Sequence, residues 1–196
     1  MRILTMLMAL MLGLLTVPGG KNSSLAKENG YVINLDRAEK LEKMTYSSLF
    51  SKAGIIVLED TDESLLGKVD KLEVCDNNLY VLEKGRGLFL FNKQGKFIKM
   101  IGRKGKGPGE YIDPNDISID RENKKIYVLD SQTQNVLKYS GNGTFESSFK
   151  LENKGTRSTF IQPFKNALYT NLYTFDESGK RFLLSKVDVT NGKRIS

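Results

Sequence analysis

Ile117-Ser118-Ile119-Asp120, Ile126-Tyr127-Val128-Leu129-Asp130, Val136-Leu137-Lys138-Tyr139 and Gly143-Thr144-Phe145 decide the fold of this chain, because an earlier stretch repeats them. That stretch reads Leu72-Glu73-Val74-Cys75, Leu79-Tyr80-Val81-Leu82, Leu88-Phe89-Leu90-Phe91 and Gly95-Lys96-Phe97. Phe91 recurs as Tyr139, Gly95 as Gly143 and Phe97 as Phe145, about 48 residues on in each case. Tyr80 recurs as Tyr127 one residue sooner, which is a change of loop length.

Within each unit the apolar residues alternate with polar or small ones, the period of two that a pleated strand imposes. Asp76-Asn77-Asn78 and Asp120-Arg121-Glu122-Asn123 break the pattern with turn-forming residues. Asn92-Lys93-Gln94-Gly95 and Ser140-Gly141-Asn142-Gly143 supply the positive-φ positions of a hairpin. Short strands about 10 residues apart, in units of about 40–50, are the pattern of four-stranded propeller blades.

A weaker third unit follows, in Phe160-Ile161-Gln162-Pro163-Phe164, Ala167-Leu168-Tyr169-Thr170, Phe182 to Asp188 and the turn Thr190-Asn191-Gly192. Upstream, Tyr31 to Leu35 and Ile55-Ile56-Val57-Leu58 read as lead-in strands, with a short helix or turn between Ala38 and Phe50.

The loop before the second unit runs Gly102-Arg103-Lys104-Gly105-Lys106-Gly107-Pro108-Gly109-Glu110-Tyr111, followed by Pro114 and later Tyr127-Val128-Leu129-Asp130-Ser131. This resembles the NHL repeat, in which a glycine-rich loop ends in Gly-x-Gly-acid-aromatic. A proline, an aliphatic strand and a hydrophobic-Tyr-Val-x-Asp-Ser strand then follow. More narrowly, the chain is similar to six-bladed β-propeller lipoproteins of Bacteroides-type bacteria. The resemblance covers residues 54–151 well and 152–196 weakly. It implies an all-β chain, a partial β-propeller of NHL/six-bladed type with about three blades of four-stranded antiparallel sheet. Six blades of about 45 residues need about 270 residues, more than the 196 present. Two explanations stand side by side: the chain is a truncated product, or it is a homodimer in which two copies complete one six-bladed ring.

Residues 1–26 read as a signal peptide. Arg2 supplies the positive end, Ile3 to Val17 the apolar run, and Ser24-Leu25-Ala26 small residues for cleavage. The apolar run is shorter than the roughly 20 residues of a membrane span. No cysteine follows it to receive a lipid, so the expected product is exported to the periplasm or cell surface without an anchor. Residues 27–53 then form a lead-in segment and 54–196 the partial propeller.

Composition narrows the chemistry. The chain has 30 basic and 23 acidic residues, a net charge of +7, with the two signs interleaved. That is a solvated surface or, read more sharply, a polyanion-binding face. The lone Cys75 sits in an alternating apolar stretch and reads as a small core residue. With no histidine, a Ser-His-Asp triad, a Cys-His pair and a His-ligated zinc site are all excluded.

The glycine-rich loop is the candidate ligand site. Arg103, Lys104 and Lys106 among glycines, with Tyr111 at the end, have the makings of an anion cradle. The other reading is a blade-to-blade connector, since the loop lacks the Gly-Lys-Ser/Thr ending of a P-loop. Asp116, Asp120 and Asp130 have the chemistry to line a metal or sugar site, and for Asp120 and Asp130 the other reading is a turn cap beside the strand. Neither a cofactor nor a metal is expected. The function read from these features is a non-enzymatic module binding a glycan or a protein of the cell envelope. The resemblance also allows a metal-dependent lyase or hydrolase, or a polyanion-binding module. The export signal argues against nucleic acid as the partner.

Overall fold

The computed structural model describes residues 36, 43, 45–152, 157–171, 174, 175, 181, 182 and 184–195. The expected signal peptide, residues 1–26, and the first expected lead-in strand, Tyr31 to Leu35, lie outside the described residues. The chain divides after Ala53, and every described strand belongs to the unit Gly54–Ser196. Among the described residues before that division lies the helical turn α1 (Tyr46–Leu49).

Two four-stranded antiparallel sheets form the body. The first holds β1 (Lys71–Cys75), β2 (Asn78–Glu83), β3 (Gly87–Asn92) and β4 (Phe97–Ile101) in that order. A short parallel pair, β5 (Arg103–Lys104) and β6 (Glu110–Tyr111), closes the loop to the next sheet. The second sheet holds β7 (Pro114–Asp120), β8 (Lys125–Asp130), β9 (Asn135–Ser140) and β10 (Phe145–Lys150). A third sheet has β11 (Ile161–Phe164), β12 (Ala167–Thr170) and β15 (Ser185–Asp188); the small hairpin β13 (Thr174–Phe175) and β14 (Arg181–Phe182) lies between β12 and β15 in sequence.

These sheets are propeller blades. The first two are meanders in sequence order, joined by hairpin turns of two to four residues, and in the third the β13–β14 hairpin is inserted between the neighbours β12 and β15. They approach one another through their first strands: β7 packs against β1 on one side and β11 on the other. The first strand is therefore innermost and the fourth outermost, and the chain is a partial β-propeller of three consecutive blades.

Pleating gives each blade two apolar faces, and the core lies between blades. Tyr80, Leu82, Leu88 and Leu90 of blade 1 pack against Ile117, Ile119, Ile126, Val128, Leu137 and Tyr139 of blade 2. Tyr127, Leu129, Val136 and Phe149 pack against Ile161, Leu168 and Val187 of blade 3. Such side chains stabilise by roughly 1.5–3 kcal/mol each when fully buried. Cys75 belongs to the first of these cores. The Tyr80 hydroxyl donates to the Gly141 carbonyl at 2.9 Å and so ties the two blades by a polar bond as well.

The third-to-fourth strand turn recurs in all three blades. Gly95, Gly143 and Gly192 have φ of 85°, 79° and 75°. Asn92, Asn142 and Asp188 each present Oδ1 to a backbone N–H of their turn. After Gly192 the chain makes a single bridge, Val187 to Arg194, which marks the place of a fourth strand in blade 3.

One expected strand differs. Ile55–Leu58 has no ladder partner; its neighbour Glu59 donates its N–H to the Gly95 carbonyl at 2.8 Å, and Leu58 packs against the outer face of blade 1. No described strand lies beside it to complete a ladder.

Candidate functional site

The glycine-rich loop is a connector from β4 to β7 and carries an anion of its own. The parallel pairing of β5 with β6 folds it back so that Glu110 reaches into its centre. Gly107 N–H donates to Glu110 Oε2 at 2.8 Å, and Arg103 Nε donates to Oε1 at 2.6 Å. A Cβ at Gly105 would lie 1.9 Å from Glu110 Oε2, so the glycine is what lets the carboxylate enter. The Gly107 N–H and then the Arg103 guanidinium hold this carboxyl below its usual range. The cradle that the sequence suggested for a free anion thus surrounds the loop's own carboxylate.

The four residues expected to bind ligand part company here. Arg103 is paired with Glu110. Lys104 and Lys106 are exposed, and neither makes an ion pair among the described residues. Tyr111 is fully buried in the core between blades 1 and 2. Its hydroxyl donates to the Ile101 carbonyl at 3.0 Å and accepts from Leu88 N–H at 3.1 Å. It is a packing residue, placed there because its side of β6 faces the apolar interface, and burial raises its pKa.

The three aspartates have structural work. Asp120 accepts from the Asn123 N–H at 3.0 Å and caps its turn. Asp130 accepts from Ile112 N–H at 2.7 Å and Gln132 N–H at 2.9 Å, fixing the connector to blade 2. Asp116 joins blades: Oδ1 accepts from Lys71 Nζ at 2.8 Å and Oδ2 from Ile161 N–H at 2.9 Å. Nearby, Arg121 donates to the Val74 carbonyl and faces Glu73 at 3.7 Å. Desolvation raises the Glu73 pKa against the pull of Lys71 and Arg121. Among the described residues no three metal-ligating side chains cluster.

Beside the connector lies a cleft of about 670 Å³. The loop Gly105–Glu110 forms one wall, and Asn135, Leu137, Phe145, Ser147 and Ser148 of β9 and β10 form the other. Leu137 and Ser148 are cross-strand partners, so the blade wall alternates apolar and hydroxyl-bearing positions. Phe145 stands edge-on to Tyr139 with centroids 5.8 Å apart. Tyr139 in turn donates its hydroxyl to the Gly109 carbonyl at 3.1 Å, which fixes the distance between the walls. The side chains of Lys106, Asn135, Ser147 and Ser148 have no hydrogen-bonding or ionic partner among the described residues. The size is that of a small-molecule site. Asn135 and the two serines carry no motif; only the blade register brings them opposite the loop.

Fold and cleft together define a propeller-type protein with a ligand-sized groove between a blade and its connector. Residues 30–195 match the family model described as a domain of unknown function, DUF4934, and the chain belongs to that family. Its fold is similar to the crystal structure of a protein described as exported from Bacteroides fragilis NCTC 9343. The TM-score is 0.61 and the identity 26%, over 72% of this chain and 40% of that one. This chain therefore spans less than half the length of that relative. The WD40 domain of Neurospora crassa Pan2 is also similar, with a TM-score of 0.47 and 12% identity over 65% of this chain and 35% of that one. No curated protein matches the sequence.

Proposed function

We propose that this chain is an exported, non-enzymatic propeller module of the cell envelope that binds a glycan in the cleft between the 105–110 connector and blade 2. The finer reading of the blades is NHL-type, from a six-bladed ring of which this chain is about half. The observation that carries the binding role is the set of unengaged polar side chains, Lys106, Asn135, Ser147 and Ser148, around an apolar floor of Pro108, Leu137 and Phe145. Saccharides present that mixture: hydroxyls that exchange hydrogen bonds with amides and hydroxyls, and apolar C–H faces that pack on rings. Lys106 adds a preference for sugars bearing a carboxylate. Export is supported by the leader in residues 1–26 and by the description of the Bacteroides relative. Screening the purified chain against neutral and uronate-containing oligosaccharides tests the reading. Retention of at least one class supports it; retention of none, with capture of an envelope protein instead, rejects it.

A further inference from the structure

A second cleft, of about 900 Å³, adjoins the first. It lies between the end of β10, the β8–β9 turn and the blade 3 turn at Thr190 and Asn191. Its walls are tied to one another. Leu151 N–H donates to the Gln134 carbonyl at 2.9 Å. Ser158 N–H donates to Gln134 Oε1 at 2.7 Å, and Gln134 Nε2 donates back to the Ser158 carbonyl at 3.1 Å. This exchange anchors the residue next to Arg157, which lines the cleft. The absence of a Cβ at Gly192 seats the blade 3 turn on β10, since that atom would lie 2.1 Å from the Lys150 carbonyl oxygen.

The two clefts make one groove. Thr133 and Ser148 line both. Asn135 of the first is the cross-strand partner of Lys150 of the second, and such partners stand about 4.5–5.5 Å apart at Cβ. Each cleft alone has the volume of a small-molecule site, so joined they suit a chain of sugars better than a single one. Positive charge is in excess along the groove. Lys106 lines the first cleft, and Lys150 and Arg157 line the second. All three are without an ionic partner among the described residues. Against them, Glu152 is the one carboxylate among the described residues lining the second cleft. In the first, Glu110 is engaged by Arg103 and Asp130 by backbone N–H groups.

We infer that the groove takes a linear oligosaccharide with carboxylates on successive sugars, a polyuronate, laid across both clefts; this rests on the glycan reading of the first cleft. Lys106 meets the carboxylate of one sugar, and Lys150 and Arg157 meet those of sugars further along. The Arg157 guanidinium fork matches a carboxylate with two donors. The exposed Gln132 amide and Ser148 hydroxyl exchange hydrogen bonds with the sugar hydroxyls between them.

Calorimetric titration of the full chain with a diuronate, a hexauronate and a neutral hexasaccharide tests the inference. The hexauronate is expected to bind at least about tenfold more tightly than the diuronate, the worth of one charged contact. Lys150→Ala combined with Arg157→Ala is expected to cancel that gain. Both side chains are exposed and without a partner among the described residues, so the fold should be kept. Lys93→Ala with Lys96→Ala, which removes two exposed charges from the β3–β4 turn, should keep the gain. A long chain sliding over one short cleft also gains affinity, but that gain would survive the loss of Lys150 and Arg157. Equal affinity for the two uronates overturns the inference and leaves the glycan reading of the first cleft standing. So does a gain that the Lys150 and Arg157 pair leaves intact, one that the control pair also removes, or binding of the neutral sugar alone. Binding of no oligosaccharide overturns both.

Discussion

Lys71 Nζ donates to Asp116 Oδ1 at 2.8 Å across the junction of blades 1 and 2, while the second oxygen of the same carboxylate accepts the Ile161 N–H of blade 3 at 2.9 Å. One buried side chain thus holds three consecutive innermost strands. Asp116→Ala leaves a cation and a buried N–H without their acceptor. The expected loss is roughly 2–4 kcal/mol by denaturant titration. Asp116→Asn keeps an acceptor for Ile161 and is expected to lose less.

The turn glycines separate backbone conformation from packing. Gly85 has φ of 86° with open space around the missing Cβ, so Gly85→Ala tests the positive φ alone, at about 1 kcal/mol. Gly192 has φ of 75° and a backbone carbonyl 2.1 Å from that Cβ. Gly192→Ala is therefore expected to destabilise by a further 1–3 kcal/mol or so. Equal melting temperatures for the two variants would contradict the blade contact.

Glu110 makes the connector sensitive to acid. Its carboxyl lies below the ordinary value of 4.5 because the Gly107 N–H and Arg103 favour the charged form. A depressed carboxyl stabilises above its unfolded value, and that contribution is lost as pH falls through the lower folded value. The Gly107 amide is expected to stay protected from exchange at pH 6 and to lose protection well below pH 4.5. In Glu110→Gln the protection is expected to be weaker already at pH 6 and to carry no such titration.

Tyr111 is expected to act on stability and not on ligand. Tyr111→Phe deletes the bond to the Ile101 carbonyl and the acceptor for Leu88 N–H, both buried. About 1–3 kcal/mol should be lost. Glycan retention at a temperature where the variant is folded should match the wild type.

Much of the fold was legible because alternation and turn residues are local. The Gly95 and Gly143 turns, the strand triplets of the first two units, the buried Cys75 and the turn-capping Asp120 all follow from neighbours within a few residues. The strand expected at Ile55–Leu58 did not form a ladder, since pairing needs a partner that no local pattern supplies. In the connector the glycines suit either a tight path between blades, which is what the chain takes, or room for an external anion. What fills them is Glu110, seven positions from its partner Arg103, and only the β5–β6 pairing brings the two together. Asn135 and Ser148 were invisible for a related reason: polar residues on the third and fourth strands of a blade look like ordinary solvated positions until the loop is placed opposite them.

The most direct test of the binding role is oligosaccharide affinity measured on the wild-type chain and on Asn135→Ala, Ser148→Ala and Lys106→Ala. These exposed or half-buried side chains have no structural partner to lose, so folding should be unchanged. The account predicts that a neutral or uronate-bearing oligosaccharide held by the wild type is held about tenfold more weakly by Asn135→Ala and Ser148→Ala. It also predicts that Lys106→Ala loses the preference for the acidic sugar. Undiminished affinity in all three variants would contradict it.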